Sequence, residues 1–288
     1  MPSALDVPTP DGRTLRVHDT GAVLGGAPAL VWHTGSPQTG ALLDPLVAAT
    51  SARGIRLVSY GRPSYGGSTP ARGRRVADAA GDVAAIAGAL GLERFAVMGA
   101  SGGGPHALAC AALLPDRILG AVSISGLAPY TGADEWFAGM AAPEALRAAA
   151  EGPEARERHA AVEEFDPASF TSADWAALED RWAALGRDAG AAGAAGPEGL
   201  IDDDLAFVAP WGFDLADVTV PVLVVQGGED RVVPPAHADA LVRACPTAEL
   251  WLRPRDGHVS VLDACPVAMD WLLALPQARV EDGTAAAA

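Results

Sequence analysis

Residues 95–114 carry a strand–turn–helix signal that narrows the possible folds sharply. An apolar run, 95–98, leads into Gly99-Ala100-Ser101-Gly102-Gly103, and a helix-like stretch at 106–114 follows, closed by Pro115. A serine lifted onto a tight strand-to-helix turn needs unusual backbone angles. A side chain two positions before or after it would strike neighbouring backbone. Glycine at 99 and 103 relieves both problems, and a G-x-S-x-G in this setting marks a serine nucleophile. The helix start behind it offers free N–H groups to an anion.

The same letters also look like the glycine-rich turn of nucleotide-binding short-chain reductases. That turn follows the first strand of its domain, yet strand-like runs at 29–33 and 55–60 precede this one. The next strand, 118–125, does not end in the acidic residue that holds a ribose. The chain also contains no lysine, so the tyrosine–lysine pair of those reductases cannot be built.

Strand-like and helix-like segments alternate over most of the 288 residues. Strands are expected at 14–18, 29–33, 55–60, 95–98, 118–125, 220–225 and 249–252. Helices are expected at 77–90, 106–114, 236–244 and 267–275. Near-continuous apolar strands interleaved with helices predict an α/β fold with a mostly parallel sheet covered on both faces. The alternation breaks within 127–213, which looks helical throughout. There Gly186 to Gly199 reads as a flexible connection, rich in glycine and alanine. The expected organisation is a core of 1–126 and 214–276, a helical cap of 127–213 and a disordered tail, 277–288. Ten of the sixteen aromatics fall in the cap. Most should pack the cap to itself. Trp136, Trp182 and Trp211 are candidates to line an apolar substrate pocket at the sheet's C-terminal edge.

Composition removes several classes. A formal net charge of −16 argues against nucleic acid as a partner. All twenty basic side chains are arginine, which excludes a Walker loop, a pyridoxal Schiff base and a Ser–Lys dyad. No apolar run reaches the length of a membrane span, and the start has no secretion signal. Cys110, Cys245 and Cys265 lack metal-ligand spacing and read as reduced thiols in a cytoplasmic protein. The bias toward alanine, glycine and arginine suggests a high-GC bacterial gene.

A nucleophilic serine needs a base and an acid to orient that base. The order Ser, Asp, His, each just after a strand, selects Asp230 in Q-G-G-E-D-R and His258 in P-R-D-G-H. Glu229 and Asp256 are neighbouring carboxylates that fit the spacing less well. His237, within V-P-P-A-H-A, reads as a surface or packing histidine. The oxyanion hole calls for two N–H donors. Gly102 follows the serine, and Ser36 lies in the V-W-H-T-G-S-P loop after an early strand, with Gly35 allowing close approach.

These motifs together resemble the α/β-hydrolase fold enzymes over nearly the whole chain. The matching strings are H-T-G-S-P at 33–37, G-A-S-G-G at 99–103, the acid loop at Asp230 and D-G-H at 256–258. Y-G-R-P-S-Y-G-G-S at 60–68 is similar to the family's D-R-P-G-Y-G-x-S loop, but Gly61 replaces the usual aspartate and Ser64 a glycine. The resemblance implies an eight-stranded sheet, a helical cap and a Ser-His-Asp triad needing no metal and no cofactor. The expected activity is cleavage of a small carboxylic ester, or an amide, through an acyl-enzyme. The expected partner is a small-molecule substrate with an apolar group, with no nucleic acid and no membrane. A C–C bond hydrolase or an acyltransferase would use the same triad. A ligand-binding protein on this scaffold is the rival from another class.

Overall fold

The computed structural model describes residues 3–21 and 28–276. The expected tail, 277–288, lies outside the described residues. Eight strands form one sheet in the order β1-β2-β4-β3-β5-β6-β7-β8. β1 (Ser3–Pro8) and β2 (Thr14–Asp19) make an antiparallel hairpin, and β2 also runs antiparallel to β4 (Arg56–Tyr60). The remaining pairings are parallel. They involve β4, β3 (Ala29–His33), β5 (Phe95–Ala100), β6 (Ile118–Ile124), β7 (Val222–Gly227) and β8 (Ala248–Arg253).

Strand residues alternate between two cores. Phe95 and Val97 of β5 face one side with Val31 and Val224, while Met98 faces the other with Trp32 and Val225. On the first face, α2 (Asp78–Ala89), α3 (Gly103–Leu113) and α9 (Pro235–Ala244) supply Val83, Leu108 and Leu241. On the second face, α1 (Asp44–Ser51) and α10 (Cys265–Ala274) supply Leu46 and Met269. Burial on both faces is why the central strands read as unbroken apolar runs. Cys110, Cys245 and Cys265 are buried and free. Among the described residues no helix is long and apolar enough to cross a membrane.

Between β6 and β7 the chain inserts α4 (Glu144–Glu151), α5 (Pro153–Ala160), α6 (Ser172–Glu179), α7 (Ala183–Ala194) and α8 (Glu198–Val208). The glycine–alanine stretch expected as a flexible connection is instead mostly helix, since α7 runs through it. Alanine is the strongest helix former and offsets the interior glycines, and Gly186 packs on Leu178 of α6. The insertion meets the loops at the C-terminal ends of the parallel strands through aspartates, three of which matter most for the site. Asp174 of α6 bonds to the loop after β8, Asp188 of α7 to Thr39 after β3, and Asp203 of α8 to Ser36 and Arg62 after β3 and β4.

Candidate active site

Ser101 sits where β5 turns into α3. Its φ of 53° lies in the left-handed region, a strain of about 1–3 kcal/mol for a non-glycine residue. Two backbone bonds hold the turn. The Ser101 N–H donates to the Ile124 carbonyl at 2.8 Å, and its own carbonyl accepts from Gly104 N at 2.9 Å. A Cβ at Gly99 would fall on the Gly103 carbonyl, and one at Gly103 would fall on the His33 carbonyl. The glycines of G-x-S-x-G are therefore required by close backbone approach. Behind the turn, His106 donates from Nδ1 to the Gly102 carbonyl at 2.7 Å. Burial pushes this imidazole down to about 3, so it stays neutral and structural.

Asp230 follows β7 and His258 follows β8. His258 Nδ1 lies 2.8 Å from Asp230 Oδ2, and Asp230 Oδ1 accepts the N–H groups of Val232 and Val233 at 2.9 Å each. The acid is thus fixed before it meets the ring. Asp230 is fully covered, whereas the His258 side chain keeps 11% of its surface open. Burial works to lower the His258 pKa. The Asp230 charge and hydrogen bond, with help from Asp174, outweigh it and hold the imidazole above its ordinary value. The rival carboxylates are placed elsewhere. Asp256 pairs with Arg253 at 2.7 Å and Glu229 is exposed. His237 is buried in α9, where Nδ1 accepts from Ala128 N at 3.1 Å and Nε2 donates to the Trp136 carbonyl at 3.0 Å. No hydrogen bond joins Ser101 to His258 among the described residues. Both stand at the same C-terminal edge of the sheet.

The loop after β3 comes beside the serine. A Cβ built on Gly35 would lie 3.5 Å from Ser101 Cβ. The Gly35 N–H is taken by Gln38 at 2.7 Å. The N–H groups of Ser36 and Gly102 have no partner within the described chain. Arg62 holds this loop from beneath. It donates to the carbonyls of Thr34 and Gly35 and to Ser36 Oγ, and it pairs with Asp203 Oδ2 at 2.5 Å. Asp203 also accepts from Arg74 at 2.6 Å and from the Tyr65 hydroxyl at 3.1 Å. Burial favours the neutral acid, but the two guanidinium groups win and keep Asp203 well below the usual carboxylate range. The two departures in the 60–68 loop have local causes. A Cβ at Gly61 would lie 2.6 Å from the Tyr65 carbonyl and 2.8 Å from that of Thr39, so an aspartate has no room. Ser64 adopts φ 74° and donates to Asp202 at 2.8 Å.

The three candidate tryptophans, Trp136, Trp182 and Trp211, are all buried. Trp136 donates to the Ala128 carbonyl at 3.0 Å and meets His237 edge-on. Trp182 donates to Asp263 at 2.9 Å and belongs to the core beside α1 and α10. Trp211 donates to the Phe207 carbonyl at 3.2 Å and packs on Phe213. Each indole N–H finds its partner within the protein, as buried tryptophan requires. Phe207 reaches the serine turn. A Cβ at Gly102 would lie 2.9 Å from its Cζ, and its ring meets His106 edge-on. A cleft of about 730 Å³ lined by Arg13, Arg62, Arg74, Asp82 and His106 includes neither Ser101 nor His258.

The chain belongs to the alpha/beta hydrolase fold family, whose model matches residues 28–264. Solved structures agree on the fold. An enol-lactonase from Burkholderia xenovorans LB400 is 23% identical with a TM-score of 0.72, covering 94% of this chain and 99% of its own. A thermophilic esterase from Thermogutta terrifontis is 21% identical with a TM-score of 0.70, covering 96% of this chain and 100% of its own. A bromoperoxidase from Bacillus anthracis is 22% identical with a TM-score of 0.69, covering 95% of this chain and 98% of its own. At these identities the likeness is one of fold.

Proposed function

We propose that this chain is a serine hydrolase that cleaves a small carboxylic ester through an acyl-enzyme. The observation that carries this reading is the clamped Asp230–His258 pair, which lies at the strand edge where Ser101 stands on its strained turn. Asp230 accepts a hydrogen bond from the His258 Nδ1–H, which leaves Nε2 free as a base. As Ser101 Oγ attacks the ester carbonyl, Nε2 takes its proton and then delivers it to the leaving alcohol. Water repeats the cycle to release the acid. The N–H groups of Ser36 and Gly102 hold the oxyanion. Residues 127–213 act as a cap over a core of 1–126 and 214–276, and Phe207 bounds the acyl side of the site. The esterase and the enol-lactonase among the similar folds fit an ester as the bond cleaved.

The test is covalent labelling with a fluorophosphonate, read by peptide mass spectrometry, beside hydrolysis of an activated ester. The expected adduct is on Ser101. Ser101→Ala should fold and lose turnover on the order of a million-fold. Labelling at another serine, or near-normal turnover by a folded Ser101→Ala, ends this reading.

A further inference from the structure

Outside the proposed triad, buried charge gathers in the insertion, and Asp174 stands apart because it touches the histidine loop itself. It is fully buried near the start of α6. Both of its carboxylate oxygens are saturated. Oδ2 accepts the Thr171 N–H and hydroxyl at 2.9 Å each and the His258 N–H at 3.2 Å. Oδ1 accepts the N–H groups of Val259 at 2.8 Å and Ser260 at 2.7 Å, and the Ser260 hydroxyl at 2.9 Å. One carboxylate therefore caps α6 at its own end and also binds three consecutive N–H groups, 258–260, which lead into the short helical turn Ser260–Ala264. A Cβ at Gly257 would fall on Asp174 Oδ2. The glycine of D-G-H is thus accounted for by an acid from the insertion, 83 residues earlier in the sequence.

Its chemistry suits an anchor. Burial opposes its charge, but the hydrogen bonds from Ser260 and Thr171 outweigh burial and hold Asp174 below the usual carboxylate range. It is a fixed anion with every lone pair directed. Loops free of such anchors move, and a general base must be held to within about half an ångström of its productive place.

We infer that Asp174 is a positioning residue for His258: it holds the backbone of the 257–260 loop, so that the seating of α6 sets where the imidazole stands. This rests on the reading of His258 as the general base. The groups that act electrostatically on His258 are Asp230, from the loop after β7, and Asp174, from α6. Both favour its charged form. Asp174 therefore has a second signature that a plain staple lacks, because loss of its charge must lower the pH at which His258 takes up a proton.

The experiment compares wild type, Asp174→Asn, Asp174→Glu and Asp204→Asn. The readouts are melting temperature, the pH profile of kcat/KM on an activated ester, and an NMR titration of the His258 ring. Asp204 is a buried carboxylate of α8 that pairs with Arg156 at 2.7 Å, with no hydrogen bond to the 257–260 loop. Asp174→Asn is expected to lower kcat/KM on the order of ten- to a hundredfold, the cost of misplacing a catalytic group. It should also shift both the acid limb and the ring titration to lower pH. Asp174→Glu keeps the charge and should keep the limb nearer its wild-type place. Asp204→Asn should lower the melting temperature and leave the limb where it was. If Asp174→Asn does not fold, Ser260→Ala removes one donor to Oδ1 and should lower kcat/KM in the same sense. A folded Asp174→Asn with a wild-type limb and turnover, losing only thermal stability, overturns the inference while Ser101 labelling in wild type leaves the hydrolase reading intact. A wild type that neither labels nor turns over overturns both.

Discussion

Arg62 and Asp203 meet at 2.5 Å with almost no exposure, which joins the loop after β4 to helix α8 beneath the Ser36 loop. Taking one partner from a buried pair leaves the other charge uncompensated, at a cost of about 3–5 kcal/mol. Asp203→Asn is therefore expected to lose stability of that order in urea unfolding. The variant should also turn over more slowly than its folded fraction explains, because Ser36 loses its hold. Losing a single oxyanion donor outright costs on the order of a hundredfold or more in kcat. Turnover per folded molecule equal to wild type would separate Asp203 from the oxyanion loop.

The His258 imidazole is held above its ordinary value of about 6.5. The proposed mechanism needs the neutral ring, so kcat/KM should fall as pH drops through a midpoint above that value. Stability runs the other way. A raised folded pKa contributes stability that is complete below the unfolded value and lost as pH rises through the folded one. A pH series of kcat/KM and of melting temperature in the same buffers checks both signs. An acid limb well below 6 would mean that a different group is titrating.

His258 and His237 are expected to give opposite phenotypes. His258→Ala should abolish turnover. His237→Ala should retain it while losing about 1–3 kcal/mol, since the Ala128 N–H and the Trp136 carbonyl are left without partners. Burial pushes His237 down to about 4, so it stays neutral across the working range. A dead His237→Ala beside an active His258→Ala reverses the assignment of the base.

Most of the sheet was legible because parallel strands buried on both faces leave continuous apolar runs. β1 was not, since this edge strand exposes most of Ser-Ala-Leu-Asp-Val-Pro and makes no such run. Placing Asp230 opposite His258 needed only that each follow a strand, a local signal. The supports of the site are not local. Arg62 reaches Asp203 across 141 positions, and Asp174 reaches Ser260 across 86. The run Asp202-Asp203-Asp204 looks like a solvated acidic face. The fold buries all three against arginines 74, 62 and 156, which a charge pattern cannot reveal. Aromatic content is ambiguous for a related reason: it announces packing and does not say which ring meets a substrate.

If the site takes an ester as proposed, Phe207 is expected to limit the size of its acyl group. Its Cζ would lie 2.9 Å from a Cβ at Gly102, so the ring fills the space that a side chain after the serine would occupy. It is braced from behind by His106, with ring centres 5.8 Å apart. A buried aromatic fixed on two sides does not yield without cost. Wild type should therefore prefer short acyl chains, with kcat/KM falling from butanoyl to octanoyl esters. Phe207→Ala removes the wall at the price of a cavity, and its optimum should move to longer chains. Each methylene gained is worth on the order of 1 kcal/mol of binding. Activity on the acetyl ester should fall in the same variant, because the small acyl group loses its contact surface. If wild type instead improves steadily to octanoyl, and Phe207→Ala follows the same curve, the acyl chain lies away from Phe207 and the size limit is set elsewhere in the insertion.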